Sequence, residues 1–77
     1  MVTLSSCPIQ KYVRIVKINE SCSLPIKRRL YDLGFTNGQI VKKIRSSLLN
    51  KVVLIEIRGY LLSLRSSIAN EILVEGK

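Results

Sequence analysis

The apolar residues of this chain come in short pulses, each cut off by a polar or glycine-bearing break. The longest unbroken run is Val52-Val53-Leu54-Ile55, far short of the roughly 20 residues a membrane helix needs. Such pulses suit short strands that each bury one face. A single segment departs from the rhythm: within Leu24–Leu33, Ile26, Leu30 and Leu33 fall at i, i+4 and i+7, one stripe of a helix. A mostly β fold with one real helix follows, and 77 residues make it a single domain, 1–77.

The helix carries its own start and stop. Ser23 is a candidate cap, and Pro25 suits a first turn because that position needs no amide donor. Gly34 reaches the left-handed conformation cheaply and ends the helix; Phe35 follows where an apolar side chain packs back onto the last turn. Before the helix, Tyr12–Ile18 is β-branched, yet it spaces Arg14 and Lys17 by three rather than two, which a bulge or a barrel corner explains. After it, Thr36-Asn37-Gly38 is a turn and Gln39–Arg45 a strand. Ser46–Lys51 is a polar loop whose Leu48 and Leu49 are expected to fold back as a lid on the barrel mouth, with an exposed apolar tip as the alternative. Val52–Arg58 and Tyr60–Arg65, meeting at Gly59, form the best hairpin candidate. Ser66–Asn70 reads as one helical turn, Ile72–Glu75 as a closing strand and Gly76-Lys77 as a tail.

Short strands in so small a chain must bury their inner faces against one another, and closure removes exposed edges. The economical architecture is a small five-stranded, partly open β-barrel of SH3 type. Its helix lies between the first and second strands and plugs one end. The side chains expected to fill it are Val13, Ile15, Ile26, Leu30, Leu33, Ile40, Val53, Ile55, Ile57, Leu62, Leu64, Ile68, Ile72 and Val74.

Composition narrows the function. Histidine is absent, which removes the commonest general base and the commonest metal ligand together. Cys7 and Cys22 read as ordinary reduced residues, with a disulfide as the alternative. Glu20, Asp32, Glu56, Glu71, Glu75 and the two cysteines form no close pair suited to a metal. No Gly-rich phosphate loop and no nucleophile beside a base is present. No catalytic residue, metal site or cofactor is expected, and the protein is not expected to be an enzyme. Thirteen Lys and Arg against five Asp and Glu give a formal charge of +8, which suits an anionic partner: nucleic acid, anionic lipid or an acidic protein face. Tyr12, Tyr31, Phe35 and Tyr60 are too few aromatics for a base-stacking platform. A membrane-surface role is disfavoured because no basic amphipathic helix is long enough to anchor the chain. Residues 1–6 lack a basic stretch followed by an apolar one, so a cytoplasmic location is expected.

The stretch Arg28–Val41, with Leu-Gly-Phe ending the helix and Gly38 three residues after Phe35, is followed by Arg58-Gly59-Tyr60 and then by the Leu62-x-Leu64-Arg65 run. Four such features in this order resemble the FeoA family, small cytosolic proteins of bacterial ferrous-iron uptake, over about residues 3 to 75. Asn37 departs from the pattern where a proline often precedes the turn glycine, and Asn-Gly serves the same turn. The resemblance implies an SH3-like domain. It also implies an accessory, regulatory role beside FeoB, the membrane transporter with a cytosolic GTP-hydrolysing portion. The chain would then sit at the inner face of the plasma membrane through that partner alone, with self-association left open. Lys27, Arg28, Arg29 and Tyr31, with Arg29 turned partly toward the strands, are the candidate docking residues. Leu33, Gly34, Phe35, Gly38, Arg58, Gly59, Tyr60, Leu62, Leu64 and Arg65 are read as fold-forming. A basic small barrel that binds nucleic acid is the alternative, distinguished by steep salt dependence.

Overall fold

The computed structural model describes residues 2–76. In chain order the elements are β1 (Val2–Thr3), β2 (Tyr12–Ile18), α1 (Leu24–Leu33), β3 (Ile40–Ser46), β4 (Val52–Ile57), β5 (Tyr60–Arg65), α2 (Ser66–Ala69) and β6 (Ile72–Gly76). The six strands form one antiparallel sheet in the order β1-β6-β2-β3-β4-β5. That order has two ends, so the hydrogen-bonded ladder stays open, and six strands replace the five expected. The additional strand, β1, pairs only Val2 with Val74 and Thr3 with Leu73. Two residues carry no readable alternation, which hid it from a periodicity argument.

The phase slip in β2 is a bulge. Its pairing with β6 shifts register between Ile15 and Lys17. Val13 and Ile15 are buried before the shift and Ile18 after it, so Arg14 and Lys17 both stay outside although three residues separate them. The Thr36–Gly38 turn is fastened at the same place: the Gly38 amide donates to the Ile15 carbonyl at 2.7 Å, and Asn37 Nδ2 donates to the Val16 carbonyl at 2.6 Å. A second shift lies in β3 between Lys43 and Arg45.

One face of the sheet supplies the core. Val13, Ile15, Val53, Ile55, Ile57, Leu64, Ile72 and Val74 are buried there as expected. Nearly equal extents of 28 × 26 × 24 Å mean that the sheet curls around this core instead of lying flat. Four expected members sit at the margin: Leu33, Leu62 and Ile68 are partly buried against the core, and Ile40 is half-buried. Ile26 is exposed, because α1 fully buries only Leu30 at the centre of its stripe. Leu4, Cys7, Ile18, Phe35, Val41 and Ala69 are core residues outside the expected list.

Leu4 and Cys7 belong to a segment that crosses beside β3. The Leu4 amide donates to the Ile72 carbonyl at 2.8 Å. Lys43, almost wholly buried, points its ammonium at this segment and donates to the Ser5 carbonyl at 2.6 Å and the Cys7 carbonyl at 3.1 Å.

The β3–β4 loop does not form a lid. Leu48 is 96% exposed and Leu49 71% exposed. The Ser47 side-chain oxygen accepts the amides of Lys51 and Val52 at 3.0 and 3.1 Å, and the Asn50 amide donates to the Ser47 carbonyl at 2.9 Å. These bonds close the loop at its base and turn the two leucines outward.

Candidate functional site

Helix α1 is fixed at its C-terminal end and open along its outer side. Ser23 occupies the N-cap position without a side-chain cap bond, and its carbonyl accepts the Lys27 amide at 2.9 Å. At the other end Gly34 adopts φ 105°. Its amide donates to Tyr31, and the Phe35 amide donates to the Leu30 carbonyl at 2.9 Å. This paired pattern satisfies carbonyls that the helix itself leaves without partners. Phe35 is wholly buried, so the helix stop doubles as a core anchor.

The β4–β5 hairpin holds the same helix end from the other side. Ile57 pairs with Tyr60 across the two-residue turn Arg58-Gly59, whose φ values are 52° and 84°. Positive φ at both central positions gives a turn whose twist matches the strands it joins. The turn brings Tyr60 beneath the helix terminus, where its hydroxyl donates to the Leu33 carbonyl at 2.6 Å. The Arg58 side chain lies over Gly34: a Cβ there would stand 2.7 Å from Arg58 Cδ. A guanidinium near a helix C-terminus also meets a favourable field. Gly34, Phe35, Arg58, Gly59 and Tyr60 thus form one connected joint, which distance in sequence conceals.

The four candidate docking residues do not converge. At about 100° per residue, three consecutive helix positions spread around most of the circumference. Lys27 is half-buried on one flank, whereas Arg29 is exposed on the other, so Arg29 is not the member turned toward the strands. Arg28 and Tyr31 share the outward face with Leu24, which the sequence reading missed. Leu24 is 57% exposed and Tyr31 47% exposed, and the i, i+4, i+7 spacing of Leu24, Arg28 and Tyr31 makes them one stripe. Its signal in the sequence was an apolar residue lying off the core stripe. Among the described residues neither Arg28 nor Arg29 makes an ion pair.

No three His, Cys, Asp or Glu side chains gather to hold a metal among the described residues. Cys7 and Cys22 are free thiols. Burial pushes the Cys7 thiol above its ordinary pKa, and the nearby Lys43 charge opposes that only in part. Cys22 lines a shallow cleft of about 270 Å³ with Glu71, whose buried Oε2 has no hydrogen-bond partner. A thiol and a carboxylate alone supply two ligands, fewer than a closed metal site takes.

Together these features define a small antiparallel β-domain that carries its exposed chemistry on an outer helix face and on loop tips. The chain belongs to the FeoA family: the FeoA domain matches residues 2–76. No curated protein matches it in sequence. Solved structures do. The chain is 26% identical to the FeoA protein of Chlorobium tepidum, with a TM-score of 0.85 over 96% of this chain and 69% of that one. It is 28% identical to a FeoA-like protein of Clostridium acetobutylicum, with a TM-score of 0.84 over 97% and 85%. It is 25% identical to Stenotrophomonas maltophilia FeoA, with a TM-score of 0.84 over 97% and 91%. That protein, solved with zinc, is described as a prokaryotic SH3 domain protein and a proposed activating factor of bacterial ferrous iron transport.

Proposed function

We propose that this chain is a cytosolic accessory protein of ferrous iron uptake that docks on the cytosolic GTPase portion of a FeoB-like transporter and regulates it without catalysing a reaction. Membership of the FeoA family supports the pathway. The observation that carries the docking surface is the outer stripe of α1: Leu24 and Tyr31 stay exposed around Arg28 on a helix whose far end is fastened by Tyr60 and Phe35. An aromatic and an arginine on a rigid element are the residue types that dominate protein interfaces. In this reading the curled sheet is a partly open SH3-type barrel, with α1 set against one end through Leu30. The surface cations favour an acidic face on the partner, and the transporter brings the chain to the membrane.

Capture by the immobilised soluble domain of such a transporter, with and without GTP, tests the reading. The wild-type chain is expected to be retained. The Leu24→Ala, Arg28→Glu, Tyr31→Ala variant is expected to lose retention at least about tenfold, as removal of interface anchors does. Equal retention of both would dismiss the α1 stripe, and no retention of the wild type would dismiss the partner.

A further inference from the structure

The β3–β4 loop carries an exposed feature that docking through α1 does not use. Leu48 and Leu49 project from its tip with almost no cover. Two adjacent leucines in water are unfavourable unless something receives them. The loop holds them out by construction. Ser47 closes the base by accepting the Lys51 and Val52 amides. Asn50 turns the chain at φ 55°. Ser66 fastens the exit from the α2 side, its hydroxyl donating to the Asn50 carbonyl and its amide to the Lys51 carbonyl at 2.8 Å.

The charge around the tip has one sign. Arg45 and Leu48 line one shallow depression, Lys51 and Arg65 line a second, and Val52 belongs to both. No Asp or Glu among the described residues lines either depression. The tip is therefore a pair of leucines on a collar of cations, and what complements it is apolar beneath and anionic at the rim. An anionic lipid bilayer presents that order of layers. The tip is convex and narrow, so it offers little of the area a specific protein interface needs, whereas a fluid bilayer requires no matching shape.

We infer that the β3–β4 loop is a membrane-contact tip that inserts Leu48 and Leu49 into the surface of an anionic bilayer, with Arg45, Lys51 and Arg65 against the headgroups. A stapled loop thus supplies what the sequence, lacking a long amphipathic helix, does not. The inference stands apart from the transporter reading.

Co-sedimentation with vesicles tests it. The chain is expected to bind vesicles of phosphatidylcholine and phosphatidylglycerol in equal parts, to bind pure phosphatidylcholine far less, and to release as salt rises. The Leu48→Ser, Leu49→Ser variant is expected to lose at least about tenfold in partition. The Arg45→Gln, Lys51→Gln variant is expected to lose at least about tenfold on the anionic vesicles alone. All four positions lie in the loop or at its base with exposed side chains, so folding should survive, and unchanged circular dichroism would establish that. The chain has no tryptophan, so a Leu49→Trp variant reports insertion as a blue shift of its indole emission on anionic vesicles. Absence of vesicle binding, binding that the leucine pair does not affect, or an indole emission unmoved by lipid in the Leu49→Trp variant would each overturn the inference. Loss of capture by the transporter's soluble domain in the Leu48→Ser, Leu49→Ser variant, with vesicle binding intact, would assign the tip to a protein and overturn it too.

Discussion

The Tyr60 hydroxyl donates to the Leu33 carbonyl at 2.6 Å across 27 positions of sequence. Leu33 is the last residue of α1, and its carbonyl is one that no further turn can satisfy. The bond therefore ties the helix that displays the candidate docking stripe to the β4–β5 hairpin, and α1 fully buries only Leu30 by way of further attachment.

Removing that hydroxyl should loosen the helix without emptying the core. Tyr60→Phe keeps the ring and is expected to cost about 0.5–1.5 kcal/mol in urea unfolding. Amide hydrogen exchange at Gly34 and Phe35 should accelerate more than exchange in β4. Uniform acceleration through the sheet would show that Tyr60 serves general stability and not the helix end.

Gly34 faces a double constraint. Its φ of 105° lies where side-chain-bearing residues are strained, and a Cβ would press on Arg58 Cδ at 2.7 Å. Arg58 is exposed and flexible, so part of the clash can relax. Gly34→Ala is expected to destabilise the chain by about 1–3 kcal/mol. Combining it with Arg58→Ala should recover the steric share and leave the backbone share. A double variant no more stable than Gly34→Ala would place the whole cost in the backbone.

Both halves of this joint differ in how far the sequence disclosed them. The helix stop was readable because Gly34 follows a periodic apolar stripe and Phe35 follows Gly34, all within one local pattern. The phase slip in β2 was readable for the same reason, through the three-residue spacing of Arg14 and Lys17, although that spacing fits a barrel corner as well as the bulge observed. The Tyr60–Leu33 bond was not, since it depends on where a hairpin lands after folding. β1 was too short to show a period, and with it Leu4 and Cys7 escaped the expected core. Leu48 and Leu49 misled because apolar identity argues for burial, while the Ser47 and Ser66 bonds that turn them outward leave no periodic trace. The basic triplet Lys27-Arg28-Arg29 looked like one patch only because neighbours in sequence are not neighbours on a helix face.

Lys43 should prove structurally indispensable despite its charge. Its ammonium satisfies the carbonyls of Ser5 and Cys7 from a position only 5% exposed. Lys43→Met retains most of the stem but orphans both carbonyls, and each buried orphan costs about 1–3 kcal/mol. A loss of roughly 2–5 kcal/mol in denaturant unfolding is expected from the two together, with early loss of exchange protection at Leu4 and Cys7. A change below about 0.5 kcal/mol would mean that water replaces the ammonium at no cost.

Cys7 should resist modification and set an alkaline limit on stability. Burial raises its pKa from the ordinary 9.0, with Lys43 opposing the rise. In the folded chain the thiol therefore stays protonated at pH values where the unfolded chain already ionises. A group whose folded pKa is raised gives stability that is present in full below the unfolded value and lost as pH climbs through the folded one. The unfolding free energy should thus hold steady below about pH 8 and decline above about pH 9. The Cys7→Ala variant, less stable at neutral pH from the cavity it leaves, should show a shallower decline. Alkylation by iodoacetamide at neutral pH, followed by mass spectrometry, should label the partly exposed Cys22 well before Cys7. Equal labelling rates, or identical alkaline slopes in both chains, would show that the Cys7 thiol is not held protonated by its surroundings.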